Sequence, residues 1–404
     1  MIKRIKTTQL RPGMFVHDFN CEWLENPFFA SQLLIQDGRM IEKIFKAGIH
    51  ELYIDTARGI DLAGGMAEEQ VRKEIEAEIT KISKDEDEGV SLPMGEELHA
   101  AKKVHAAAKK IVTSVMHDVR MGKQVELEAV NGVVEQMVDS IFRNQGALSS
   151  LSRLKSKDEY TFFHSVNVCV LMVAFAKGLG MPRTVINRAG VGALLHDVGK
   201  MAVPQGILNK DGRLSDEEFA QMKNHVVQSR IILEKTPGIS QEAVAVASQH
   251  HERFDGSGYP DKLAREEISE LGRMAAVVDV YDAITSDRVY HRGLDSAEAL
   301  RKMYEWSKYH FDPKMVELFI KVVGIYPVGT VVRLQSGLVG VVKEPGTENL
   351  LMPMVKVFYD KKKEGYIEPR DIDLAKPDGV SDRILGAESA QKYKINPLEF
   401  VGLI

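Results

Sequence analysis

Cysteine is nearly missing: Cys21 and Cys169 are the whole supply in 404 residues, and neither stands in a paired motif. That argues against a disulfide framework or a thiolate metal cluster and predicts a reduced, cytoplasmic chain. Long apolar runs are missing too. The most apolar stretch, residues 166–176, is too short to cross a bilayer and runs into Lys177, Gly178 and Gly180. The start, Met1-Ile2-Lys3-Arg4, leads into mixed polar sequence, unlike the apolar core of a secretion signal. Nor is there an excess of positive charge. A formal net charge of -5 gives no support for a surface that binds DNA or RNA polymers, but leaves room for a small nucleotide held by local cations. The expectation is a soluble protein of two or three domains with no membrane segment, and its 44% of hydrophobic residues is ample for their cores.

Residues 1–62 have the pattern of a small α/β unit. Leu10-Arg11-Pro12-Gly13-Met14-Phe15-Val16 sets a Pro-Gly turn before a strand, and Leu33-Leu34-Ile35 meets a turn at Asp37-Gly38. Met40, Ile41, Ile44 and Phe45 then recur at helical spacing, and Leu52-Tyr53-Ile54 resumes strand character. Residues 63–95 are rich in Glu and Lys and poor in large apolar side chains, which predicts an acidic linker, either flexible or a solvated helix. Two apolar stripes, from Leu98 to Val119 and from Leu127 to Ile141, predict a helical hairpin over 96–150 that packs on the main domain or on a second copy; a homodimer stays open. Residues 151–325 read as the main helical domain, 326–377 as short antiparallel strands, and 378–404 as a tail of unreadable role. The fold class is therefore mainly α, a helical domain between a small N-terminal α/β domain and a short C-terminal β subdomain.

The chemistry gathers around His250-His251-Glu252, followed by Asp255-Gly256-Ser257-Gly258-Tyr259-Pro260. Two adjacent imidazoles at a helix end stand beside a turn through which backbone can approach a ligand. The chain also holds three His-Asp pairs. His17-Asp18 and His117-Asp118 have no other ligand types nearby and read as solvated surface. His196-Asp197 differs, because it follows the apolar helix Ala189-Gly190-Val191-Gly192-Ala193-Leu194-Leu195, and a buried His beside a buried Asp must be paired or metal-bound. Gly199 ends that helix and Lys200 adds a cation. His164 is expected early in a helix over 158–178, and His225 in a helix capped by Ser215 with Glu218 completing the box. His250 and His251 end a helix capped by Ser240, while Asp279 and Asp282 share one face of a helix starting near Ser269. Five imidazoles and two carboxylates are too many for one tetrahedral ion with an open position, and suit two ions sharing a bridging carboxylate. With no thiolate among them, iron, manganese, nickel or zinc fits.

His196-Asp197-Val198-Gly199-Lys200, His250-His251-Glu252 and Gly258-Tyr259-Pro260 occur in the order found in the HD-GYP family of cyclic di-GMP phosphodiesterases, which residues 157–325 resemble. The resemblance implies one divalent ion, iron or manganese first, held by His164, His196, Asp197 and Asp279. A second would be held by Asp197, His225, His250 and His251, with Asp197 bridging. It implies hydrolysis of cyclic di-GMP to linear pGpG and onward to GMP, the number of bonds cut staying open. Lys200 and Arg288 would neutralise phosphate oxygens, Asp282 would orient the nucleophile or bind a guanine edge, and Gly258, Tyr259 and Pro260 would shape the loop against a base. Some members carry a Glu four residues before the first ligand His; here Tyr160 stands there, and Glu159 faces about 100° away on a helix, so two metals are expected and not three. After Asp287-Arg288-Val289-Tyr290 the family has Lys where this chain has His291, which predicts weaker or pH-dependent phosphate affinity unless Arg292 supplies the charge. The segment before the domain resembles a small domain of unassigned role, expected to regulate or to recruit a protein partner. Two alternatives stay open, a catalytically weak cyclic di-GMP receptor and a hydrolase for another cyclic dinucleotide.

Overall fold

The computed structural model describes residues 1–21, 26–28, 30–62, 64–82, 94–151, 160–210, 212, 214–286, 293–346, 351–376 and 382–401. The N-terminal unit comprises β1 (Ile2–Lys6), β2 (Phe15–Asp18), β3 (Leu33–Leu34), α1 (Gly38–Lys46), β4 (Glu51–Asp55) and β5 (Met66–Ala67). Its antiparallel sheet has the order β3-β2-β4-β1-β5, and Asp37 caps α1 by accepting from the Met40 amide. Met14, Val16, Ile35, Ile44, Leu52 and Ile54 fill its own core.

The helical body follows as α2 (Glu68–Ile82), α3 (Met94–Arg120), α4 (Leu127–Arg143), α5 (Gln145–Leu151), α6 (Tyr160–Gly178) and α7 (Arg183–Leu195). It continues through α8 (Gln205–Leu208), α9 (Asp216–Glu234), α10 (Gln241–Gln249), α11 (Glu270–Thr285), α12 (Ser296–Trp306) and α13 (Pro313–Val323). Helices α6 and α11 are buried around most of their circumference, so the other helices surround them. The stripes of α3 and α4 join this same core, which answers the question of where the hairpin packs: within the chain. Side-chain caps start three of the ligand-bearing helices, α9, α10 and α11, and also α13. Ser215 and Glu218 exchange reciprocal bonds at the start of α9, and Ser240, Ser269 and Asp312 cap α10, α11 and α13.

Three expectations need correction. The acidic segment 63–95 is not all linker: β5 completes the N-terminal sheet, and Val71, Ile75 and Ile79 lie i, i+4, i+8 along α2 and are buried in the main core. Its high charge hid a single apolar stripe, and residues 83–93 lie outside the described residues. His17-Asp18 is not a free surface turn, since it ends β2 and Asp18 pairs with Lys302 of α12 at 2.9 Å. The tail belongs to the β subdomain. There β6 (Val331–Leu334), β7 (Leu338–Glu344), β8 (Met354–Asp360), β9 (Gly365–Asp373) and β10 (Ile384–Ala387) form an antiparallel sheet in the order β10-β6-β7-β8-β9. Beyond it Tyr393, and Phe400 of α14 (Pro397–Phe400), pack on Phe358. His117-Asp118, by contrast, lies at the outer end of α3, where Asp118 pairs with Lys123.

The N-terminal unit is fastened to α12 by polar contacts. Tyr53 donates to the buried Glu305 carboxylate at 2.7 Å, Arg4 reaches the same oxygen at 3.3 Å, and the Trp306 indole donates to Asn20 at 2.9 Å. No helix among the described residues is long and apolar enough to cross a membrane.

The packing of α2 makes a measurable difference. Ile75→Ala should cost about 2 kcal/mol or more in chemical denaturation, the usual penalty for emptying a buried aliphatic site. A change within about 0.5 kcal/mol would return this helix to solvent.

Candidate metal centre

All seven predicted ligands converge in the middle of the helical body. His164 comes from α6, His196 and Asp197 from the end of α7, His225 from α9, His250 and His251 from the end of α10, and Asp279 from α11. Their donor atoms fall into three overlapping groups, each within 4.8 Å: His164, His196 and Asp279; His225, His250 and His251; and His196, Asp197 and His250 between them. Asp197 faces both sides. Its Oδ2 lies 3.3 Å from His196 Nε2 and 3.7 Å from His164 Nε2, while its Oδ1 lies 3.3 Å from His225 Nε2.

The imidazoles are aimed by their second nitrogens. His196 Nδ1 lies 2.8 Å from the Ala193 carbonyl, His225 Nδ1 2.8 Å from Met222 and His250 Nδ1 2.9 Å from Ala247, in each case three residues back along the chain. A carbonyl only accepts, so each Nδ1 carries a proton, and each ring when neutral directs its Nε2 lone pair to the centre. His225 Nε2 and His250 Nε2 then face one another across 3.4 Å as two acceptors, and His196 Nε2 and Asp197 Oδ1, both buried, have no hydrogen-bond partner. Such a cluster is costly unless a cation enters it. Separations of about 3 Å are those of two donors at right angles, each about 2.1 Å from a common ion. The residues fit divalent metal, with imidazole and carboxylate donors and no thiolate.

The charge pattern agrees. Burial opposes ionisation of Asp197 and Asp279, yet the neighbouring imidazoles, with Lys200 beside Asp197, hold both carboxyls well below the usual range. Burial likewise opposes charge on His196, but Asp197 and then Asp279 push it up to about 10. His251 is pulled down to about 3, by burial first, and His250 goes the same way. Without an ion the carboxylates recruit protons onto some imidazoles, which a metal would displace.

Around the ligands stands a second layer that sequence reading passed over or assigned otherwise. Asp282 was expected at the nucleophile or a guanine edge, but its Oδ2 lies 2.8 Å from His164 Nδ1 and its Oδ1 accepts from Asn167 at 3.1 Å. It is buried behind the predicted ligand His164, whose ring it fixes through Nδ1. Ser229 donates to the His196 carbonyl at 2.6 Å and accepts from the Gly199 amide at 2.9 Å. Gly199 is required there because a Cβ would meet the His225 carbonyl at 2.0 Å, so the turn over Val198–Ala202 presses against α9. Glu252 accepts from the amides of Asp261 and Leu263 at 2.7 and 3.0 Å, clamping the loop that follows. No spacing rule reveals Ser229 or Asn167, though Glu252 was in plain view within its motif.

Lys200 lies against Asp197 Oδ2 and is partly exposed. In the loop, Gly258 fits only without a side chain, since a Cβ would lie 2.3 Å from the Arg253 amide nitrogen and 2.6 Å from the His251 carbonyl. The Tyr259 ring stacks on His251 at 4.7 Å, the Lys223 ammonium is 5.2 Å from its centroid, and Pro260 follows through a cis peptide. Arg288, His291 and Arg292 lie outside the described residues, as does Glu159; Tyr160 opens α6.

Frame and donors together define a metal-dependent phosphohydrolase of the HD-domain class. The HD domain family matches residues 137–315, and a domain of unknown function, DUF3391, matches residues 2–130. A cyclic di-GMP phosphodiesterase of Pseudomonas aeruginosa is 42% identical over 400 residues, covering 99% of this chain and 95% of that protein. One of Vibrio cholerae is 38% identical over 220 residues, 49% of this chain and 45% of that protein. A 3'3'-cGAMP-specific phosphodiesterase of Vibrio cholerae is 32% identical over 169 residues, 42% of this chain and 32% of that protein. The chain belongs to the HD-GYP family.

Because Asp282 bonds the ring of the predicted ligand His164, Asp282→Asn should lower metal affinity by about 10- to 100-fold. Metal content after dialysis against a graded chelator reads this directly; wild-type retention would refute the orienting role.

Proposed function

We propose that this chain is a cyclic di-GMP phosphodiesterase that opens the ring to linear pGpG at a centre of two divalent ions, iron or manganese. The observation that carries the two-ion reading is the placement of Asp197, whose two oxygens face two separate groups of imidazoles. The substrate reading is supported by the relative from Pseudomonas aeruginosa, which the chain matches along nearly its whole length. The scarcity of cysteine and the lack of a membrane-crossing helix among the described residues favour a cytoplasmic setting.

When bound, two such ions supply Lewis acidity, both to activate water and to absorb charge from the phosphate oxygens. The chain's own residues do the rest. The Nδ1 tethers of His196, His225 and His250 and the Asp282 contact to His164 hold the donors in place before substrate arrives, so little reorganisation is needed during the reaction. Asp197 and Asp279 stay ionised and serve as ligands, not as proton donors. Lys200, partly exposed beside Asp197, would offer its ammonium to a non-bridging phosphate oxygen. Tyr259 buttresses His251 and gives the nucleotide side of the site its wall. Arg288 is assigned to a phosphate oxygen by the family motif, and His291 stands where that motif has Lys.

Incubating the protein anaerobically with cyclic di-GMP and ferrous iron or manganese, beside Asp197→Ala, tests this by chromatography of the products. Linear pGpG that disappears in the variant is the expected result, and GMP beside it would count a second bond cut. Binding of cyclic di-GMP with no product would make the chain a receptor. Turnover confined to 3'3'-cGAMP would move it to another dinucleotide.

A further inference from the structure

The N-terminal domain touches the loop that follows His251, and the side-chain hydrogen bond of that contact comes from His50. His50 precedes β4, and its carbonyl accepts from the Thr7 amide at 2.8 Å, so its backbone belongs to the N-terminal unit. Its side chain leaves that unit. The ring stacks on Tyr309 with centroids 4.4 Å apart, and Nε2 lies 2.9 Å from Asp255 Oδ2. Asp255 uses its other oxygen locally, accepting from the Ser257 amide at 2.9 Å and the Ser257 hydroxyl at 2.6 Å. One carboxylate thus shapes the turn and ties it to another domain. Directly afterwards Gly258 packs on the 251–253 backbone, and Tyr259 donates its amide to the His251 carbonyl at 3.1 Å and lays its ring on that imidazole.

We propose that the N-terminal domain is a working part of the site, with His50 a positioning residue that fixes Asp255 and, through it, the placement of Gly258, Tyr259 and Pro260 against His251. This rests on the reading of that loop as the nucleotide-side wall. A second tie runs beside the first: Phe254 donates its amide to the His310 carbonyl at 2.9 Å, and His310 Nε2 lies 3.4 Å from the Gly48 carbonyl. Docking of the domain as a whole does not depend on His50. The Glu305, Lys302 and Trp306 contacts on α12 hold it, so removing the imidazole frees the loop without releasing the domain. The domain of unknown function is thereby given a task, setting the wall of a site more than 200 residues further along the chain.

The test uses the full-length, metal-loaded protein and compares wild type, His50→Ala and His50→Gln. In His50→Ala, amide exchange over residues 254–263 should rise about ten-fold, the scale of one lost hydrogen bond to a charged group. The KM for cyclic di-GMP should rise about five-fold, with kcat, metal content and cleavage of the small ester bis(p-nitrophenyl) phosphate within about two-fold of wild type. His50→Gln, which keeps a donor, should restore both loop exchange and KM. Unchanged exchange and KM in His50→Ala would overturn the proposal. So would a KM effect that arrives only with lost metal or a lowered melting point, since His50 would then be structural alone. If wild type neither binds nor cuts cyclic di-GMP, the substrate reading fails, and the exchange comparison still decides whether His50 holds the loop.

Discussion

A buried carboxylate between two groups of imidazoles is the constraint on which the rest of this structure depends. Asp197 is 1% exposed and ionised, and its two oxygens face opposite directions. In a low-dielectric interior such a charge must be compensated, and the compensation has to come from both sides. That requirement accounts for why five helices converge there, and why so many nearby polar groups serve other polar groups and not solvent. Backbone carbonyls of α7, α9 and α10 absorb the Nδ1 protons, Asp282 does so for His164, and Ser229 ties the His196 carbonyl to the Gly199 amide. Each of these bonds removes a way for a donor to turn away from the centre.

The loop after His251 is held at both ends beside this rigid centre. Glu252 clamps its far end through the Asp261 and Leu263 amides, while Asp255 shapes its near end. Between them the Tyr259 ring stacks on the imidazole of His251, one of the predicted ligands. The N-terminal unit grips the outside of this arrangement. It is seated on α12 through Tyr53, Arg4 and Asn20, and it reaches the loop through His50.

Much of the site was legible because its parts follow local rules. Ser215 with Glu218, Ser240 and Ser269 announced three helix starts, and His225, His250, His251 and Asp279 fall in or at the ends of those helices. What stayed hidden depends on three-dimensional placement. The i,i+3 spacing of Asp279 and Asp282 puts both on one helix face, but does not say that one turns to the centre and the other behind His164. Asp18 looked like surface because its partner, Lys302, lies 284 positions away. The stripe Val71, Ile75, Ile79 was masked by the charges around it, and Tyr393 and Phe400 were too widely spaced to reveal a core around Phe358.

The central claim is that Asp197 joins two cations. Crystals of the manganese-loaded protein, measured for anomalous scattering, test it directly. The account predicts two peaks, one beside His164, His196 and Asp279, the other beside His225, His250 and His251, with an oxygen of Asp197 on each. A single peak, or two peaks that do not share Asp197, would contradict it.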